Sequence, residues 1–165
     1  MTRDRSRLPA LGPRGEGWVV GQGLLLGLEA LVSIPALAAL PPDSAVGWSS
    51  FGAGICVGLV SGWLGLRGLR DLGANLTALP APRRGAVLVD RGVYARVRHP
   101  IYAAVIMAAV AWALVVISPP AMLVALGLAA WLDLKSRREE VWLLAHHPGY
   151  ADYRRCTRRF VPGIY

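Results

Sequence analysis

The sequence predicts an all-α, polytopic integral membrane protein with about four transmembrane helices and a C-terminal cytoplasmic helical extension. Three observations predict it. Apolar residues make up 55% of the 165-residue chain and mean hydropathy is +0.45, against roughly 45–50% apolar in soluble domains even with glycine counted. The apolar residues fall in runs separated by blocks of charge. All 18 lysines and arginines of this chain of net charge +8 then land on one side of a four-span arrangement, as positive charge does on cytoplasmic loops. The length suits one domain, expected over residues 1–165, with two N-terminal spans in 1–70 and a motif loop, helical hairpin and cytoplasmic tail in 71–165.

The first span is expected over residues 17–40, broken only by Glu29 and Pro35. It meets the ~20 residues needed to cross the hydrocarbon and exceeds the ~7–15 residue core of a signal peptide. No clear cleavage site ends it, so it reads as a retained span, closed by Pro41-Pro42-Asp43. The second span, over 46–66, contains Gly52, Gly54, Gly58, Ser61, Gly62 and Gly65. Small residues at such spacing let helices approach closely in lipid. From Arg67 to Pro100 the chain turns polar, with a surface loop around Pro80, Pro82, Arg83 and Arg84. Val87-Leu88-Val89 reads as a short β-like run ended by a turn at Asp90-Arg91-Gly92. Residues 101–117 and 121–132 are apolar around Ser118-Pro119-Pro120, which predicts a helical hairpin. Helical sequence continues through Lys135 to Leu144, so the last helix projects out of the membrane before a basic, aromatic tail over 149–165.

Orientation follows from charge. The basic residues gather in the N-terminal segment, the middle loop, the end of the last helix and the tail, while 41–45 and 118–120 contain none. Both termini and the functional face are therefore expected in the cytoplasm. A single lysine beside seventeen arginines, with abundant Ala and Gly, points to a GC-rich bacterial genome and hence an inner (plasma) membrane. Alternating charged blocks and apolar runs argue against a nucleic-acid-binding domain. Cys56 and Cys156 fall on unlike parts of the chain and offer no disulfide; no metal-ligand spacing occurs.

Three segments of the cytoplasmic face carry potential chemistry. In Arg98-His99-Pro100-Ile101-Tyr102, proline suits the first position of a helix, which places His99 at the cap. Unpaired N–H groups there, with Arg96 and Arg98 beside them, attract an anionic group. The competing reading is a membrane-flanking helix start whose arginines pair with lipid phosphates. Glu139 and Glu140 point about 100° apart on a helix, so only one can face a given pocket; alone, the pair also reads as a solvated face. Tyr150, Tyr153, Arg158, Arg159 and Phe160 read alone as an interfacial anchor.

Together, Arg98-His99-Pro100-x-Tyr102 after Gly92-x-Tyr94, an apolar hairpin, Glu139-Glu140, a Tyr150-x-x-Tyr153 and a terminal Arg159-Phe160-x-Pro162 resemble the isoprenylcysteine carboxyl methyltransferase family and its phospholipid N-methyltransferase relatives. The resemblance runs from about Leu72 to the C-terminus. It implies S-adenosylmethionine as cofactor, bound by Tyr94, Arg98, His99, Pro100 and Tyr102 on one wall and Glu139 and Glu140 on the other. It further implies that the tail closes the pocket, with Tyr150, Tyr153 and Arg159 toward the substrate, and that methyl transfer goes to a lipophilic or membrane-embedded acceptor. Glu139 or Glu140 would then serve as a base for an acceptor that must lose a proton. The chain departs from the family pattern at Val93, at Ala103-Ala104 and at His147-Pro148-Gly149. Two other readings stand beside it: a non-catalytic membrane module holding anionic lipid or a partner protein, and an oxidoreductase related to the sterol reductases. The latter would need a nicotinamide site, for which no Gly-rich dinucleotide loop appears.

Overall fold

A computed structural model of the chain describes residues 9–81, 85 and 87–165. Arg3, Arg5 and Arg7 of the basic N-terminal block, and Pro82, Arg83 and Arg84 of the expected surface loop, lie outside the described residues. Among the described residues, four long helices and one short one follow in order: α1 Glu16–Leu37, α2 Ala45–Leu72, α3 Pro100–Val115, α4 Pro119–His146 and α5 Tyr150–Cys156, with 3-10 turns at Gly73–Asn75 and Gly92–Ala95. Helix α2 packs along α3, α3 along α4, and α4 along α1.

The helix boundaries follow from local chemistry. Ser44 Oγ accepts from the Gly47 N–H at 3.1 Å, and Ser118 Oγ from the Ala121 N–H at 3.3 Å; each serine satisfies a donor that the first turn leaves open. Pro119 and Pro100 begin α4 and α3 where their missing N–H costs nothing. Pro35, expected only to interrupt the first run, sits inside α1 near its end.

The small residues of α2 form one stripe, Gly54, Gly58, Ser61, Gly65 and Gly68, at alternating spacings of four and three. A Cβ at Gly54 would lie 2.8 Å from the Ala111 carbonyl, and one at Gly65 would press on Ala104. Close backbone approach leaves room for cross-helix hydrogen bonds: Ser61 Oγ donates to the Ala104 carbonyl at 2.7 Å and Ser50 Oγ to the Leu114 carbonyl at 2.9 Å. Against α4 the seam is apolar, with Ala121, Ala125, Leu128 and Leu132 fully buried at helical spacing. Helix α1 is tied to α4 by tryptophans: the Trp18 and Trp131 ring centroids lie 4.8 Å apart and Trp131 Nε1 donates to the Trp18 carbonyl at 3.0 Å.

The outward faces are apolar. Val20, Leu24, Leu31 and Ile34 of α1, and Leu59, Val60 and Trp63 of α2, stand exposed, as lipid contact allows and water penalises. Helices α1 and α2 are long and apolar enough to cross a membrane, while α3 is apolar but shorter. Its 16 residues reach only about 24 Å at 1.5 Å per residue.

One expectation differs from the structure. Among the described residues there is no strand, and 87–89 run as irregular chain: no neighbouring segment pairs with them, and the Val87 N–H bonds instead to Asn75 Oδ1 at 3.1 Å. The tail folds into α5 and then lies beside residues 96–99 through an isolated parallel bridge between Val97 and Arg158.

Candidate functional site

The motif loop, the start of α3, the projecting end of α4 and the tail meet at one end of the bundle and enclose a cavity of about 430 Å³. That size falls within the range of small-molecule sites. Gly92 makes the entry to this loop possible. It takes φ +60°, and a Cβ there would run into the Asp71 carboxylate, which accepts the Val93 N–H at 2.9 Å. The turn this creates, Gly92–Ala95, buries Tyr94, and Tyr153 Oη donates to the Tyr94 carbonyl at 2.7 Å.

The helix start at His99 is bound by the tail. The Arg98 N–H donates to the Arg158 carbonyl at 2.8 Å and the His99 N–H to the Arg159 carbonyl at 3.1 Å. The Arg98 side chain follows the same course: Nε donates to Glu140 Oε1 at 2.9 Å, and a terminal nitrogen donates to the Arg154 and Thr157 carbonyls. Pro100 is buried as the first residue of α3.

Glu139 and Glu140 leave α4 in different directions. Glu140 points into a cluster of cations: besides Arg98, Arg154 Nε lies 3.3 Å from Oε2 and Arg159 Nε 3.3 Å from Oε1. His99 Nε2 stands 3.3 Å from Oε1, close enough for attraction but off the line of a good hydrogen bond. Burial alone would raise the Glu140 pKa, but the contact with His99 and the guanidinium groups of Arg159 and Arg98 outweigh it and hold the carboxyl well below its usual range. Arg159 also reaches Asp133 Oδ1 at 2.8 Å, where Tyr165 Oη donates at 2.9 Å. The C-terminus is thereby fastened to α4.

Glu139 instead lines the cavity. Its Oε2 accepts from Tyr102 Oη at 2.8 Å, and His99 Nδ1 lies 3.8 Å away. Burial raises its pKa, and His99, the Tyr102 hydrogen bond and Lys135 only partly offset that. The His99 and Tyr102 rings stack nearly parallel, with centroids 5.3 Å apart.

Of the residues singled out in the sequence, Tyr94, Arg98, His99, Tyr102, Glu139, Tyr150 and Tyr153 line this cavity. Pro100, Glu140 and Arg159 stand behind its wall. Tyr150 is 1% exposed, and its hydroxyl has no hydrogen-bond partner among the described residues. Burial pushes its pKa up, so it meets a ligand as a neutral phenol.

The sequence reading passed over a cation, two residues of α1 and an apolar wall. Lys135 lines the cavity one turn before Glu139, with Nζ 2.8 Å from Gln22 Oε1 and 4.9 Å from the Tyr102 ring centroid. Its spacing of four from Glu139, on one helix face, was the available signal. Val19 and Gln22 bring α1 into the site, and Leu72, Leu76, Leu88 and Leu143 give it an apolar wall. Nothing in their local sequence marks them.

The phospholipid methyltransferase family model matches residues 49–148, from within α2 to the loop after α4. Among solved structures, the chain resembles the eukaryotic intramembrane Ras methyltransferase isoprenylcysteine carboxyl methyltransferase, with a TM-score of 0.65 and 24% sequence identity. That likeness is one of fold. It covers 86% of this chain and 52% of the other, so the chain spans about half the length of that structure. No curated protein matches it in sequence.

Proposed function

Because the chain belongs to the phospholipid methyltransferase family, we propose that it transfers a methyl group from S-adenosylmethionine to a lipophilic acceptor held in the membrane, an isoprenylcysteine-carboxylate-like or lipid-like molecule. The observation that carries this reading is the cavity, which straddles two environments. Val19, Gln22 and Val105 of the apolar helices line one part of it, while Glu139, His147 and Tyr150 line the other. A lining of both kinds suits a water-soluble cofactor held beside a lipid.

The residues fit such a cofactor. Glu139 suits an ammonium or a ribose diol through charge-assisted hydrogen bonds, and the Tyr150 hydroxyl has a bond still to make. Tyr94, Tyr102 and His99 offer ring faces to a flat base or a sulfonium. For the cofactor carboxylate, Lys135 is a better seat than Arg98, whose Nε and one terminal nitrogen already hold Glu140 and the tail. Arg98 then acts by positioning. When bound, S-adenosylmethionine supplies a methyl group activated by its sulfonium. The chain's task is to hold the acceptor in line with that methyl and to exclude water, and Tyr150 and Tyr153 of α5, which line the cavity, would help to cover it. A carboxylate acceptor needs no base. An amine, thiol or phenol does, and Glu139 is the group for it, since a raised pKa brings a carboxylate nearer to matching such a proton. Glu140, with its lowered pKa and guanidinium partners, is unsuited.

We place this face in the cytoplasm of a bacterial inner membrane. Four crossings would be made by α1, α2, α3 and the apolar first part of α4, residues 119–132. Reporter fusions should then read as external at Asp43 and internal at Asp90 and Tyr165; an external reading at Asp90 contradicts the topology. The activity is tested by incubating the detergent-solubilised protein with S-adenosylmethionine carrying a labelled methyl group and with membranes. Label should appear in the solvent-extracted lipid fraction, and its absence there while the protein binds the cofactor would argue for a non-catalytic module.

A further inference from the structure

A carboxyl group lies deep in the bundle, in a place the methyl-transfer reading does not use. Glu29 is 3% exposed on α1, and its Oε1 has no hydrogen-bond partner among the described residues. It lines a second cavity, of about 400 Å³, between α1 and α3, whose other walls include Leu26, Val105, Ala109 and Trp112. Counting from Gln22, Glu29 is seven residues further along α1, about 10 Å deeper into the membrane at 1.5 Å per residue. The wall is built in its polar parts too: Trp112 Nε1 donates to Ser33 Oγ at 2.9 Å, and Ser33 Oγ donates to the Glu29 backbone carbonyl at 2.6 Å. The local donors are thus engaged with each other and the Glu29 side chain is left over.

Val105 borders both cavities, so this slot neighbours the one described above. Along α1 the lining residues Val19, Gln22, Leu26 and Glu29 share one face at spacings of three and four. A plain hydrocarbon chain would satisfy the leucine and alanine walls but leave the carboxyl oxygen without a partner, which is costly at this depth. We infer that the α1–α3 slot is a binding site for a lipophilic molecule that carries a hydrogen-bond donor, a hydroxyl or an N–H group, within its apolar part, and that Glu29 accepts that hydrogen bond. The inference stands whether or not the neighbouring cavity transfers methyl groups.

The test uses the full chain in lipid nanodiscs and a long-chain alcohol bearing a photoreactive diazirine, with cross-links mapped by peptide mass spectrometry. Labelling is expected on residues 26–30 of α1 and 105–112 of α3. It should be competed by the unlabelled alcohol at least tenfold better than by its methyl ether, which has the same chain and no donor. Glu29→Leu should lose that preference, while Glu29→Gln, whose carbonyl still accepts, should keep most of it. Binding of S-adenosylhomocysteine serves as the check on folding and is expected to stay unchanged in both variants. Equal competition by alcohol and ether, or full preference in Glu29→Leu, overturns the inference and leaves the methyl-transfer reading untouched. Absence of probe labelling together with a dimeric mass of the nanodisc-embedded chain by native mass spectrometry overturns it as well, since the face would then be an interface between copies.

Discussion

Glu139 and Glu140 are neighbours on one helix, and a rotation of about 100° gives them opposite chemistry. Glu140 is enclosed by Arg98, Arg154, Arg159 and His99 and kept ionised; it joins the α3 start, the α4 extension and the tail. Glu139 faces the cavity, takes one hydrogen bond from Tyr102, and has its pKa pushed up by burial. A carboxylate saturated by guanidinium groups is suited to holding a structure together. One left undersupplied with partners is suited to meeting a ligand. Under the proposed function, Glu140 holds the site's architecture and Glu139 would meet the ligand.

The largest effect should come from breaking the saturated side. Glu140→Gln leaves the buried Arg98 side chain without its counter-charge, while Arg159 keeps Asp133, and removal of one partner from a buried pair costs about 3–5 kcal/mol. A lower thermal midpoint in detergent, with earlier proteolysis of residues 150–165, is the expected outcome. Glu139→Gln should show neither.

Acidity sharpens the same contrast. The pKa of Glu140 is lowered on folding, so its contribution is complete above the ordinary value of 4.5 and is lost as pH falls through the lowered one. The Glu139 pKa is raised, so its contribution is present below 4.5 and lost as pH rises through the raised value. At neutral pH Glu139→Gln should therefore be at least as stable as the parent. Unfolding midpoints followed from pH 7 down to pH 3 should fall for the parent and change less for Glu140→Gln.

A smaller effect is expected at Gly92. Alanine there must hold a positive φ, at about 1–2 kcal/mol, and must displace Asp71 from the Val93 N–H. The cost should appear as weakened ligand binding, since the turn carries Tyr94 into the cavity, with the Glu140 cluster and the tail unaffected. Tail proteolysis separates the two.

Much of this was legible from the sequence because it is written in local patterns. The apolar runs, the proline start of α3 and the small-residue spacing on α2 each carry their physical cause within a few residues. The family was legible as well, from the Arg98-His99-Pro100-x-Tyr102 and Glu139-Glu140 motifs. The tail's fold was not, because α5 and the Val97–Arg158 bridge depend on contacts about 60 residues apart. The division of labour between the two glutamates was visible only as a necessity that they differ. Which of them faces the cavity depends on where α1 and the tail dock, and Lys135 and Gln22 meet only once α1 has packed on α4. Arg98 shows the limit most clearly: its charge at a helix start suggested an anion site, whereas its bonds through Nε and one terminal nitrogen to Glu140 and to the tail's carbonyls come from segments far along the chain.

The central claim is that the Glu139 cavity binds the cofactor and that Glu140 supports it from behind. Calorimetric titration of S-adenosylhomocysteine into the purified parent and Glu139→Gln tests it most directly. The parent should bind. Glu139→Gln should bind more weakly by about 1.5–3 kcal/mol, the worth of a hydrogen bond to a charged group, with its thermal midpoint kept. Equal affinity in the two proteins, or no binding by the parent, would contradict the account.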